Sequence, residues 1–260
     1  MRTAYLDHPG PIPMAHRGFD ADTGGLENTM AAFRAAVDLG YRYVETDVHA
    51  TRDGVVVAFH DENLDRVTDR RGLIPELAWR EVSRARVATS ESVPRLEDLL
   101  EEWPDLRVNI DLKTPGAVVP TVHVIERMRA HDRVCVTSFS DQRRRAAVMR
   151  LTRPVVTSAG QRSAATFRAA ATLPPLVRAS VVSRTLREVD GLQVPADHLG
   201  IEVVTSTTVA AAQEVGAFVH VWTINEPEQM GRLLDLGVDG IITDRAYRLK
   251  QVLTGRWQWR

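Results

Sequence analysis

Short β-rich runs alternate with helical patterns along almost the whole chain, and this alternation restricts the fold more than any other feature. PIPMAH, YRYVETDVHA, LRVNIDLK, RVCVTSFS, PVVTSA, GLQVP, FVHVWTIN and DGIITD read as strands. Between and after them TMAAFRAAVDLG, RLEDLLEEW, AVVPTVHVIERMRAH, DQRRRAAVMRL, a segment near 161–172, TVAAAQEVG, EPEQMGRLLDLG and AYRLKQVL read as helices. Strands that alternate with helices build a parallel sheet covered by those helices. Asn28 or Thr29 is placed to cap the first helix and Gly40 to stop it, and Asn225 to cap the helix that opens at Pro227.

One more β-run, VVVAFHD, brings the number of strand-like segments to nine. Only TRDG separates it from YRYVETDVHA. A parallel crossover needs roughly a dozen residues or more, whereas Asp-Gly at 53–54 is a hairpin signal. The run is therefore expected to return antiparallel above the barrel rim, carrying His60 back toward Glu45 and Asp47. Eight barrel strands remain, ending at His16, Asp47, Lys113, Phe139, Ser158, Pro195, Ile224 and Asp244. The expectation is an α/β fold: a single (β/α)8 TIM-type barrel over residues 1–260, with a β-hairpin above the C-terminal rim after strand 2. Residues 62–92 form a short insert that could cap it. A length of 260 residues suits such a barrel, which typically needs about 250.

Lys and Arg total 33 against 34 Asp and Glu, a net charge of −1. Bulk electrostatic capture of nucleic acid needs a basic surface, so any phosphate chemistry rests on local charges. The arginine run QRRRAAVMR reads as a solvated helix face, its charges spread around the axis. Cys135 is the only cysteine; it excludes an internal disulfide and, inside VCVTSF, reads as a buried thiol. No stretch of about 18 apolar residues is present, no apolar leader precedes MAHRG, and no basic amphipathic helix suggests stable membrane association. A cytoplasmic location is expected.

Barrels of this type carry their chemistry at the C-terminal ends of the strands. There the first strand brings His16, Arg17 and Gly18, the second Glu45 and Asp47, and the third Asp111 and Lys113. Residues two apart on a strand share a side. Three carboxylates at one mouth repel unless a cation neutralises them. Their hard oxygens favour Mg²⁺ or Ca²⁺, with Mn²⁺ admissible. His16 and His60 suit an acid–base pair, since imidazole titrates near neutral pH. Arg17 and Lys113 suit a phosphate.

HRG (16–18), ENT (27–29), ETDV (45–48), TRDGVVVAFHDENLDRVTD (51–69), NIDLK (109–113), TSF (137–139), VHVWTIN (219–225) and GVDGIITD (237–244) resemble, in order, the motifs of the glycerophosphodiester phosphodiesterase family. The resemblance implies a (β/α)8 barrel and metal-dependent hydrolysis of a small-molecule glycerophosphodiester to glycerol 3-phosphate and an alcohol. It implies acid–base roles for His16 and His60, metal ligation by Glu45, Asp47 and Asp111, and phosphate binding by Arg17 and Lys113. It adds a substrate-site role for Glu27 and Asn28. Gly18 would let the backbone turn with no side chain in the pocket. Trp222 would line the alcohol pocket and Phe139 would pack on the glycerol carbons. Two features depart from the family pattern: Asp111 stands where Glu is usual, and the 62–92 connection is short. His49 and Asp61 stand beside the site without an assigned role. A barrel that cleaves lysophospholipids or sphingomyelin, and a non-catalytic phosphodiester-binding barrel, are the rival readings.

Overall fold

The computed structural model describes residues 4–18, 26–88 and 90–259. Its barrel strands are β1 (Ile12–Ala15), β2 (Tyr43–Ala50), β3 (Arg107–Leu112), β4 (Val134–Thr137), β5 (Val156–Thr157), β6 (Gly191–Pro195), β7 (Phe218–Trp222) and β8 (Gly240–Thr243). They run parallel in the order β5-β4-β3-β2-β1-β8-β7-β6. The two ends meet through a parallel bridge between Ser158 and Gly191, with Ala159 N donating to Gly191 O at 2.9 Å and Asp190 N to Thr157 O at 2.9 Å. The expected barrel is therefore present, with its seam at the shortest strand.

The period-2 alternation of these strands separates two environments. Ile12, Met14, Tyr43, Cys135, Val156, Phe218 and Ile242 form one buried cluster with Tyr5, the filling of the barrel's lower half. The opposite parity packs under the helices in two further clusters, one around Val44, Val108, Ile110 and Val136, the other around Leu192, Val219, Val221 and Ile241. Gly191 and Gly240 belong to the inner set. A Cβ on Gly240 would stand 2.8 Å from His220 Cδ2 and from Ile12 O, so glycine leaves the room that His220 fills. Above the apolar filling, buried Asn109, Ser158 and His220 and half-buried Gln193 form a polar layer joined by side-chain hydrogen bonds.

The return arm Val56–Ala58 pairs antiparallel with β2, Val48 opposite Ala58 and Ala50 opposite Val56. Its turn is fixed locally. Thr51 N donates to Val55 O at 2.9 Å, Thr51 Oγ1 to Asp53 Oδ1 at 2.7 Å, and Gly54 takes φ +83°, a region glycine enters without steric cost. The described part of residues 62–92 folds over this arm on its own small core, in which Leu64, Ile74, Val82 and Val87 pack on Val57 and Phe59.

Several local expectations are revised. The first helix, Met30–Asp38, is capped by Thr29, whose hydroxyl accepts Ala32 N at 3.1 Å; Asn28 is released for another task. Asn225 does not cap Pro227–Asp235 either: the N-cap is Glu226, with no side-chain cap bond. Elements that were not expected include the helices Trp79–Val82 and Pro175–Leu186 and two small hairpins, Arg86–Val87/Glu91–Ser92 and Asp197–His198/Ile201–Glu202. The C-terminal segment docks on the barrel through Trp259, whose ring lies 5.1 Å from Tyr41, while Trp257 is 84% exposed; Arg260 lies outside the described residues. Among the described residues no helix is long and apolar enough to cross a membrane.

Candidate active site

The inward parity that fills the barrel with apolar side chains turns polar at the strand ends. The same register positions that carry Met14, Tyr43 and Ile242 continue two residues on as His16, Glu45 and Asp244. β2 and β3 are aligned so that Asp47 stands opposite Asp111. Phe59 N donates to Asp47 O at 2.9 Å, which seats His60 beside the same mouth as expected from the hairpin.

Both histidines are held by an aspartate. His16 Nδ1 lies 2.6 Å from Asp244 Oδ1, and His60 Nδ1 lies 2.6 Å from Asp61 Oδ1. A carboxylate can only accept, so in each ring this nitrogen carries the proton and Nε2 is left for other partners. Asp244 is oriented in turn by Asn225, whose Nδ2 donates to Asp244 Oδ2 at 3.1 Å and whose Oδ1 accepts Asp244 N at 2.9 Å. Asp61 is gripped by Arg66, Nε to Oδ2 at 2.6 Å. His49, buried beneath the arm, has Nε2 3.1 Å from the main-chain oxygen of His60.

Glu45, Asp47 and Asp111 are all buried. Lys113 Nζ stands between two of them, 2.7 Å from Asp47 Oδ1 and 2.9 Å from Asp111 Oδ2. Arg17 Nε lies 3.1 Å from Asp47 Oδ2, and its Nη1 donates to Glu27 Oε1 at 3.1 Å. Glu45 Oε2 accepts the Arg17 backbone N–H at 3.2 Å and faces His16 Nε2 at 3.7 Å. Asn28 Nδ2 donates to Asp47 Oδ2 at 3.2 Å, while its Oδ1 accepts Thr46 Oγ1 at 2.7 Å. Asn28 therefore orients a carboxylate. Glu27 is shared by Arg17 and Arg66, and so links the 62–92 segment to the mouth.

The HRG turn reaches this geometry through two consecutive left-handed residues, Arg17 at φ 57° and Gly18 at φ +63°. The expected reason for Gly18 is half right. The backbone does bend there, but a Cβ would stand 2.8 Å from Phe33 N and strike the Phe33 ring. The missing side chain makes room for the first helix rather than for a ligand.

The titration of these groups follows from their neighbours. Burial, then the Asp47 charge, pushes Glu45 up to about 7. Burial would also raise Asp47, but Lys113 and then Arg17 outweigh it and hold that carboxyl below its usual range. Burial raises Asp111, with Lys113 offsetting only part of the effect. Burial would lower His16, yet Glu45 and the Asp244 bond together raise it. Asp61 is held at about 2 because its bonds to Arg66 and His60 outweigh burial.

A divalent cation suits the chemistry of this donor set. Asp111 Oδ1 is buried with no hydrogen-bond partner, Glu45 holds its charge only reluctantly, and the carboxylates of Glu27, Glu45, Asp47, Asp61, Asp111 and Asp244 outnumber the fixed cations Arg17, Arg66 and Lys113. Among the described residues no three acidic or histidine groups are arranged around a common ion position; the Lys113 ammonium holds two of the carboxylates together instead.

Phe139 and Trp222 form the apolar wall, ring centroids 5.6 Å apart, with Lys113 Nζ 5.6 Å from the Phe139 ring. Phe139 is 46% exposed. All the expected site residues thus lie around one mouth. Sequence reasoning gave Asn225 only a capping role, passed over Arg66, left His49 and Asp61 without a role, and treated Asp244 only as a strand end. The one signal for Asp244 was its position, two residues beyond an inward-facing Ile242.

Residues 16–247 match the Glycerophosphoryl diester phosphodiesterase family. The chain is 46% identical over 255 residues to the Mycobacterium tuberculosis protein named "Probable glycerophosphodiester phosphodiesterase 2", covering 98% of this chain and 95% of that one. It is 29% identical to a glycerophosphodiester phosphodiesterase of Bacillus altitudinis, covering 91% and 97%. Its fold is similar to that of an Oleispira antarctica phosphodiesterase solved in complex with the product sn-glycerol-3-phosphate, with TM-score 0.78, 22% identity and coverage of 97% and 100%.

Proposed function

Because the chain belongs to the glycerophosphoryl diester phosphodiesterase family, we propose that its barrel mouth hydrolyses small glycerophosphodiesters to glycerol 3-phosphate and an alcohol, with His16 and His60 as the acid–base pair. The observation that carries the reading is the pairing of each histidine with an aspartate at Nδ1 beside one cluster of buried carboxylates.

His16 is the proton donor in this account. Glu45 and the Asp244 bond raise its pKa against burial, which favours the protonated ring that would protonate the leaving alkoxide through Nε2. His60 takes the proton of the attacking hydroxyl, either that of water in direct hydrolysis or that of the glycerol C2, which gives a cyclic phosphate that water then opens to glycerol 3-phosphate. Asp244 and Asp61 fix the tautomers and stabilise the charged rings. Arg17 and Lys113, released from their carboxylates, bind the phosphoryl oxygens, the first as a planar fork and the second as a point charge. Glu45, Asp47 and Asp111 would hold Mg²⁺ or Ca²⁺, with Mn²⁺ admissible. Bound there, the ion supplies Lewis-acid stabilisation of phosphoryl charge. Glu27 and Asn28 keep Arg17 and Asp47 in place. Phe139 and Trp222 cover the carbon skeleton, and Arg66 ties residues 62–92 over one side of the mouth.

The test is release of glycerol 3-phosphate and choline from glycerophosphocholine by the purified chain with added Mg²⁺, Ca²⁺ or Mn²⁺. Release that EDTA abolishes is expected. Turnover of lysophosphatidylcholine alone would favour the lipid-cleaving rival, and no cleavage of any diester would leave a binding barrel.

A further inference from the structure

Beyond Phe139 the mouth continues into a second cavity of about 630 Å³. It lies between the loops that follow β4 and β5, which are tied together by Gln161 N donating to Phe139 O at 2.9 Å. Phe139 is the shared wall: one side of it faces Lys113 and Trp222, and it also lines this cavity. The other lining is basic. Arg143 Nη1 donates to Leu112 O at 2.7 Å and to Ser138 Oγ at 3.2 Å, which roots its guanidinium against the main chain between Asp111 and Lys113. Its Nε is buried without a hydrogen-bond partner. Arg162 is exposed on the first turn of the helix Gln161–Ala171. Among the described residues neither guanidinium forms an ion pair.

The remaining charges in the wall are already committed. Asp141 accepts Gly160 N at 3.0 Å and Ser163 N at 3.1 Å, and Arg145 pairs with Glu188 at 2.7 Å. Two cations without an ion-pair partner therefore line a cavity that shares Phe139 with the barrel mouth, the charge of Asp111 reaching Arg143 from the mouth side. The arginine run is thus no uniform solvated face: Arg143 turns inward while Arg145 pairs outward.

We infer that this cavity is the leaving-group subsite, and that Arg143 and Arg162 select glycerophosphodiesters whose alcohol carries a second phosphate group. The inference rests on the proposed hydrolysis. A phosphate bridging the two guanidiniums would gain charge-assisted hydrogen bonds; a choline ammonium in the same place would meet like charge.

The experiment compares kcat/KM for glycerophosphoglycerol, bis(glycerophospho)glycerol and glycerophosphocholine at fixed ionic strength. The first two differ by one glycerophosphoryl group in the leaving alcohol, which carries the second phosphate. After correction for its two equivalent ends, bis(glycerophospho)glycerol is expected to be favoured roughly tenfold or more over glycerophosphoglycerol, with glycerophosphocholine the poorest. Arg162→Glu should lose most of that ratio and Arg162→Lys should retain it; Arg143→Gln should lower it as well. Equal kcat/KM for the first two in the unmodified chain, or an Arg162→Glu effect equal on both, overturns the inference while leaving the hydrolysis intact. Absence of glycerol 3-phosphate from all three substrates overturns the hydrolysis itself.

Discussion

At the scale of single residues, the site stores charge that folding alone does not favour. Glu45 is buried and is pushed up to about 7 by burial and by Asp47. Between its ordinary value of 4.5 and about 7, the folded chain keeps a proton that the unfolded chain has lost, so stability falls as pH rises through that window. His16, also raised, acts in the same direction: its contribution is complete below 6.5 and fades as pH climbs through its folded value. In metal-free buffer these two groups are expected to pull the melting temperature down from pH 5 to pH 8, against buried His220, lowered to about 3 by desolvation, which favours folding as pH rises toward 6.5. Glu45→Gln should flatten that slope, with a stabilisation on the order of 1–3 kcal/mol at pH 8 and loss of turnover; thermal unfolding at both pH values reads both effects. Asp244→Asn tests the other partner of His16. Without the carboxylate the imidazolium loses support, so kcat should drop by about 10²–10⁴-fold and the alkaline limb of the pH–rate profile should move to lower pH. An unmoved limb would mean that Asp244 does not set the His16 proton.

At the scale of elements, the hairpin is what turns two distant strand ends and a loop histidine into one site. Gly54, at φ +83° with open space where a Cβ would stand, tests it cleanly. Gly54→Val should cost about 1–2 kcal/mol through backbone strain alone and lower kcat by displacing His60, with KM for glycerophosphocholine little changed. Equilibrium unfolding and steady-state kinetics measure the two together. This hairpin was legible because TRDG is too short for any parallel crossover. The helix Pro175–Leu186 was not, and the reason is physical: it buries only Val182 and Leu186 while Leu176 is 98% exposed, so it lacks the apolar stripe on which periodicity depends. Caps were misplaced for a related reason. Asn28 and Asn225 are good N-cap types in the right places, but each is drawn off by a carboxylate of the site, Asp47 and Asp244 in turn. Local propensity gave way where long-range contacts serve the chemistry.

At the scale of the whole molecule, the barrel works by continuing one inward register from apolar filling to reactive rim. Strand count, order and the residues at the mouth could be read because strand ends are local features of sequence. The Asp partners of the histidines could not be fully read, since one of them lies 228 residues from its ring. Treatment with EDTA is expected to lower turnover at least about 100-fold, restored by Mg²⁺ or Ca²⁺; unchanged turnover after exhaustive chelation would remove the ion from the account. The most direct test of the assembled mouth is kcat for glycerophosphocholine in His16→Gln and His60→Gln, each verified as folded by its melting temperature. Each variant is predicted to lose about 10³-fold or more with little change in KM. Near-normal turnover in either one would contradict a reaction shared between the two rings.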